Sequence, residues 1–197
     1  MAKRAVREAN DLELEQLMID GTSPNSNQKS HLRVANGTGV GHQRLPIFGS
    51  IFRNINLNIK ALDLNAAEPW QILSYNSNGY YAPHYDYLNA DRNRGIVEGM
   101  GNRIATVLVI LQIARLGGTT VFPKLDLNIR PKIGDVVVWL NMEATGEADM
   151  MTLHAACPIR NGTKIAASLW VHSKNQEFSL PCSLDPRDYD TSGFIDF

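Results

Sequence analysis

The chain has 197 residues, enough for one domain to bury a core without metal or disulfide staples, and 19 Lys and Arg against 20 Asp and Glu leave a net charge of −1. No basic block stands out as a phosphate-binding footprint, so nucleic acid is not an expected partner. The longest apolar runs, residues 104–111 and 136–140, are too short to span a bilayer, and residues 1–7 lack the apolar core of a signal peptide.

In chain order, residues 1–19 are ambiguous: Leu12 and Leu14 alternate with acids like a strand, while Leu17, Met18 and Ile19 suit a helix. Residues 20–29 read as a surface loop, and Arg33, Val34 and Ala35 as a short strand. The clearest helix follows. Pro46 sits at a first-turn position, and Ile47, Ile51, Ile55, Ile59 and Leu62 recur at helical spacing, away from Asn54, Asn58 and Lys60. That stripe predicts a helix lying against a sheet. Residues 70–75 (WQILSY) read as a strand, and residues 88–102 as a polar, glycine-punctuated loop. Residues 104–113 are nearly all apolar and β-branched, so a central strand buried on both faces is expected. Gly117-Gly118 turns the chain into a strand at 119–122, residues 131–135 form a turn, and 136–140 form another core strand. After a loop at 142–152, residues 164–171 return as a strand, and the tail from Pro181 is polar. Short strands at regular spacing with one packed helix predict a mainly β fold of the double-sheet, jelly-roll type.

Chemistry concentrates at residues 75–86. His84 and Asp86 are separated by one residue, and in an extended strand residues i and i+2 point to the same face. A neutral imidazole and a carboxylate make two-thirds of the 2-His-1-carboxylate triad, which suits non-haem Fe(II) because it leaves coordination positions open. Alone, a His-x-Asp pair is short enough to recur by chance. The missing ligand must be another histidine. His31 and His42 lie in a polar stretch that fits solvated or capping roles. His154 follows the second core strand and precedes the strand that holds Lys164, so antiparallel pairing would return it beside His84 and Asp86. His172 ends that last strand. A buried lysine without an anion is costly, and an iron site that uses an oxo-acid co-substrate needs a countercharge for the far carboxylate.

Residues 70–182 resemble the catalytic domain of the collagen-type prolyl 4-hydroxylase α subunits, Fe(II)- and 2-oxoglutarate-dependent dioxygenases with a double-stranded β-helix fold. The resemblance runs through Tyr81-Ala82-Pro83-His84-Tyr85-Asp86, Gly101-Asn102-Arg103-Ile104-Ala105-Thr106 and Gly117-Gly118-Thr119-Thr120-Val121-Phe122-Pro123. It continues through His154-Ala155-Ala156-Cys157-Pro158 and Trp170-Val171-His172 with Gln176-Glu177-Phe178. It implies His84, Asp86 and His154 as iron ligands, and Lys164, with Tyr75 and Thr120, as the partners of the 2-oxoglutarate C5 carboxylate. It further implies that Tyr81, Arg103, Trp170 and His172 line a groove for a proline-rich, collagen-like peptide. From sequence alone Tyr81 and Trp170 also fit core aromatics, and Arg103 a surface charge. Asn78 and Tyr80 around Gly79 depart from the family pattern, which leaves groove specificity open while sparing the iron site.

The implied activity is hydroxylation of prolyl residues at C4 in X-Pro-Gly sequences, coupled to decarboxylation of 2-oxoglutarate to succinate and CO2 with O2, and supported by L-ascorbate. An extended substrate suits a polyproline II segment against aromatics. The two cysteines permit one disulfide without requiring it; the resemblance implies a Cys157–Cys182 pair, the endoplasmic reticulum lumen and a protein disulfide isomerase β-subunit partner. The absence of a signal sequence conflicts with that compartment, so residues 1–197 are expected to be a single catalytic domain truncated at its N-terminus. Asn36-Gly37-Thr38 and Asn161-Gly162-Thr163 are glycosylation sequons if the chain enters that lumen, and ordinary turns otherwise. Two competing readings are an oxygenase for another proline-rich protein and a catalytically idle binding or assembly module.

Overall fold

The computed structural model describes residues 30–33 and 46–189. The ambiguous pattern at 1–19 and the expectations for His42 and Asn36 lie outside them. Helix α1 (Pro46–Asn58) follows its proline start. Ile55 and, just beyond the helix, Ile59 and Leu62 are buried as the stripe requires, joined by Phe48, which packs on Trp70 with ring centroids 5.6 Å apart.

Eleven strands follow from these residues. The larger sheet has the order β1-β2-β11-β4-β8, built from β1 (Ser30–Arg33), β2 (Gln71–Tyr75), β4 (Arg103–Gln112), β8 (Val136–Leu140) and β11 (Lys164–His172). The smaller has the order β3-β9-β6-β7, from β3 (Tyr81–His84), β6 (Thr120–Phe122), β7 (Leu127–Ile129) and β9 (His154–Ala156). A third pair joins β5 (Leu116–Gly117) to β10 (Ile159–Asn161). Every paired strand is antiparallel. The result is a mainly β jelly roll with flanking helices.

Strand β4 behaves as its composition dictates. Val107 and Val109 face the cluster that holds Phe48 and Ile55, whereas Leu108 and Ile110 face a second cluster with Leu73 and Tyr75. Successive side chains alternate faces, so an unbroken apolar run marks a strand covered on both sides.

Three expectations are corrected. Residues 88–102 are not all loop: they contain a short helix, α2 (Arg94–Met100), whose Ile96, Val97 and Met100 recur at helical spacing behind helix-weakening Gly95 and Gly99. Gly101, at φ 76°, ends it, and Asn102 closes the excursion by accepting from the Leu88 N–H (2.8 Å) and donating to the Leu88 carbonyl (2.9 Å). The short strand near Arg33 occupies Ser30–Arg33, so it begins earlier than expected. The Cys157–Cys182 disulfide is not formed, and both thiols are free. Cys157 lies beside the Lys164 end of β11, its N–H bonded to the Thr119 carbonyl. The chain around Cys182 bonds to Ala144 through Ser183, beyond the opposite end of the sheet. A disulfide needs Cα atoms within about 7 Å.

Truncating Phe48 removes the ring that joins α1 to Trp70 at 2% exposure. Phe48→Ala is expected to lower stability by about 3 kcal/mol, read as a lower urea midpoint at unchanged slope.

Candidate active site

A cavity lies between the two sheets, and the sequence-predicted residues His84, Asp86, His154, Lys164, Tyr75, Thr120, Tyr81 and Trp170 all line it. The key register is in the smaller sheet, where β3 and β9 place His84 directly opposite His154. Between Tyr81↔Ala156 and His84↔His154 the register shifts, because β3 uses one residue more than β9. That bulge matters for side-chain direction. Residues three apart in a regular strand point to opposite faces, yet here Tyr81 stacks on the His84 ring at 3.7 Å and 27°. Pro83, which has no N–H to give to a ladder, sits inside the bulge on this edge strand.

Asp86 lies in the bend just after β3, so its approach to His84 does not come from strand alternation as the sequence reading supposed. It comes from β4. The Thr106 hydroxyl donates to Asp86 Oδ2 at 2.8 Å and anchors the carboxylate below the bend. His84 Nε2 is then 3.7 Å from Asp86 Oδ1, and His154 Nε2 is 3.5 Å from Oδ2. One ligand atom from each of the three residues lies within 4.8 Å of the others. Each imidazole is oriented by its own backbone neighbourhood: His84 Nδ1–H donates to the Ala82 carbonyl (2.8 Å) and His154 Nδ1–H to the Thr152 carbonyl (2.9 Å). Both Nε2 lone pairs therefore point to the common centre, the tautomer that metal-binding histidines adopt. Trp139 meets the His154 ring edge-on at 4.8 Å.

Lys164 marks the closed end of the cavity. It is 3% exposed, and its Nζ donates to the Gly118 carbonyl (2.7 Å) and to Thr120 Oγ1 (3.1 Å), both neutral acceptors. Burial pushes its pKa down to about 8, partly opposed by Cys157. Gly118 is needed here: its φ is 75°, and a Cβ would meet Ile159 Cδ1 at 2.6 Å. Tyr75 pairs with Lys164 across β2 and β11, and its ring centroid is 5.8 Å from Nζ. Burial, with Tyr81 and Asp86 nearby, holds its phenol well above the ordinary pKa, so Tyr75 stays a neutral donor.

At the other end, the Arg103 guanidinium stacks 3.8 Å above the Trp170 ring and grips Glu68 with two bonds, Nε to Oε1 at 2.6 Å and Nη2 to Oε2 at 3.1 Å. His172 Nε2 is 3.1 Å from Glu68 Oε1, and its Nδ1 is 2.8 Å from the Gly101 carbonyl. Burial raises the Glu68 pKa, but His172 and Arg103 outweigh it and hold the carboxyl below its ordinary value. The pairing of β11 with β4 shifts register between Val171 and His172, and His172 is fully buried rather than part of the cavity wall. Its ring meets the Gly101 carbonyl and Glu68, and through Glu68 it is linked to Arg103. Glu68, Thr106 and Asn141 were missed by sequence reasoning. Thr106 carried a signal, being a hydroxyl in an otherwise apolar strand, whereas Glu68, in a short connection before β2, carried none.

A jelly roll that brings two Nε2 lone pairs and one carboxylate together, with a buried cation deeper in the same cavity, defines a mononuclear oxygenase site of the facial-triad class. The donor set fits Fe(II), since three protein ligands leave the remaining positions open. The chain belongs to the 2OG-Fe(II) oxygenase superfamily, whose family model matches residues 70–172. It is 37% identical over 155 residues to prolyl 4-hydroxylase subunit alpha-1 of Homo sapiens, covering 78% of this chain and 29% of that protein. It is 30% identical over 181 residues to prolyl 4-hydroxylase subunit alpha-2 of Caenorhabditis elegans, covering 91% of this chain and 33% of that one. The chain thus spans about a third or less of the length of these curated relatives. Among solved structures, the viral collagen prolyl hydroxylase of Paramecium Bursaria Chlorella virus-1, in a 2OG complex, shares the fold at a TM-score of 0.63 and 24% identity, over 86% of this chain and 94% of that one.

The depressed Lys164 has a stability signature. A lysine near 8 when folded and 10.5 when unfolded binds fewer protons folded than unfolded between those values, so stability rises with pH across that window. Urea midpoints measured from pH 7.5 to 9.5 should climb in the parent and stay flat in Lys164→Met. Near pH 7 the ligand-free variant should be the more stable of the two, by about 1–2 kcal/mol after the lost hydrogen bonds offset part of the relieved burial.

Proposed function

We propose that residues 1–197 form a single catalytic domain that hydroxylates prolyl residues at C4 in procollagen-like X-Pro-Gly peptides. The observation that carries the reading is the pair of carbonyl-locked imidazoles, His84 and His154, whose Nε2 atoms converge with Asp86 in one cavity with Lys164. The identity to prolyl 4-hydroxylase α subunits supports the choice of substrate class.

In this reading His84, Asp86 and His154 hold Fe(II), and Lys164 receives the far carboxylate of 2-oxoglutarate. Iron with 2-oxoglutarate and O2 supplies the oxidation: the co-substrate loses CO2 and becomes succinate, and the prolyl C4–H becomes C–OH. The chain does the rest. A carboxylate docking on Lys164 replaces neutral acceptors with a full countercharge, which repays the burial of the ammonium. The Tyr75 phenol and Thr120 hydroxyl add hydrogen bonds to the same group. Tyr81 and Trp170 offer flat apolar surfaces to a prolyl ring, while Glu68 and His172 fix the Arg103 guanidinium against the far face of Trp170 and so hold that ring in place. The aromatic wall of Trp139 and Phe122 keeps water from His154. L-ascorbate to restore reduced iron, a protein disulfide isomerase β subunit as partner and residence in the endoplasmic reticulum lumen complete the proposal.

The test is mass spectrometry of a Pro-Pro-Gly repeat peptide incubated with the protein, Fe(II), 2-oxoglutarate, O2 and ascorbate. A hydroxyl-sized gain on the proline before glycine, abolished in His154→Ala, is expected. Succinate without peptide hydroxylation would move the reading to a different proline-rich substrate, and neither product would leave an idle module.

A further inference from the structure

Asp86 is anchored by a threonine, not by the histidines. Its Oδ2 accepts from the Thr106 hydroxyl at 2.8 Å, and Thr106 Oγ1 in turn accepts from Asn141 Nδ2 at 2.9 Å. All three are buried, with Thr106 at 0% and Asn141 at 1% exposure. The chain of bonds has one direction. An amide NH2 can only donate, so the single hydroxyl proton of Thr106 is left for the carboxylate. Asn141 is clamped through its own backbone, its N–H donating to the Ile104 carbonyl (2.7 Å) and its carbonyl accepting from the Asp149 N–H (3.0 Å). Its Oδ1 has no partner among the described residues. A buried amide oxygen left unsatisfied costs free energy, and the orientation that incurs this cost is the one that points NH2 at Thr106. A valine at position 106 would match threonine in shape but could neither donate to Asp86 nor accept from Asn141, so the hydroxyl serves these two bonds.

We propose that Thr106, aimed by Asn141, is a positioning residue that occupies Asp86 Oδ2 and presents Oδ1 to the metal. The proposal rests on the reading of His84, Asp86 and His154 as ligands. Its consequence concerns coordination number: with two imidazoles and one carboxylate oxygen, three positions stay open, whereas a carboxylate binding through both oxygens consumes one of them.

The experiment titrates the metal-free protein with Co(II), following its visible absorption, which reports both affinity and coordination number. Thr106→Val is expected to weaken binding about tenfold or more and to alter the spectrum. Thr106→Ser, which keeps the donor, should stay within about threefold of the parent with the parent's spectrum, and Asn141→Ala should fall between the two. Parent-like affinity and spectrum in Thr106→Val overturn the proposal, as does an equal loss in Thr106→Ser, which would make the effect one of packing. If circular dichroism shows Thr106→Val unfolded, Asn141→Ala decides: a loss of affinity supports the relay, and parent-like binding overturns it. His154→Ala separates the two levels. If it binds Co(II) as the parent does, the metal-site reading fails; if it loses binding while Thr106→Val keeps it, only the relay fails.

Discussion

The pairing of β3 with β9 is the constraint on which the rest depends. Directly opposed residues in an antiparallel ladder have Cβ atoms about 4.5–5.5 Å apart, and His84 opposite His154 brings the two rings to 4.3 Å between centroids. Without the bulge at Pro83, a one-residue change would turn His84 or Tyr81 away from the cavity. An edge strand tolerates the bulge because only one side of it is paired, and Ala82 and Pro83 are exposed. Bulges commonly re-aim a side chain next to a functional site, and this one lets two residues of odd separation serve the same cavity.

Three charges in and around the cavity, the buried Asp86 and Lys164 and the half-buried Glu68, are compensated to different degrees. Glu68 faces a bidentate guanidinium and an imidazole, which together overcome burial and keep it ionised. That network is closed. Asp86 has a neutral donor in Thr106 and two imidazole nitrogens at 3.5–3.7 Å, a spacing too long for hydrogen bonds and well suited to sharing a cation between them. Among the described residues Lys164 bonds to a carbonyl and a hydroxyl and to no carboxylate, and burial wins. Of the three, the lysine has the most to gain from an incoming ligand of opposite charge.

The sequence made the apolar grammar legible and much of the polar chemistry only in part. Strand β4, helix α1 and the relation of His84, Asp86, His154 and Lys164 were readable because periodicity and order survive into the fold. Helix α2 was hidden by Gly95 and Gly99, which lower helix propensity without forbidding it in a segment whose ends are fixed by Asn102. Asp86 reached the site for a different reason from the one its spacing offered, through a hydroxyl from a strand that begins 17 residues later. Glu68 and the cysteine separation were not readable, since both depend on which ends of distant strands meet. A motif-level resemblance pairs Cys157 with Cys182, but the path of the tail past Ala144 decides where the second thiol lies.

Strand β11 runs the length of the cavity and gives it two unlike ends. Lys164, Ala166, Ser168 and Trp170 alternate along it and all face the cavity. The two small side chains leave the space, and the two large ones bound it about 20 Å apart along the strand. Lys164, Tyr75 and Thr120 are nearly inaccessible at one end, whereas the Arg103 and Glu68 side chains at the other remain 17% and 24% exposed. His84 and His154 come from the smaller sheet and Asp86 from the bend after β3, tied to Thr106 of β4, so the donor set draws on both walls of the cavity that Lys164 and Trp170 also line.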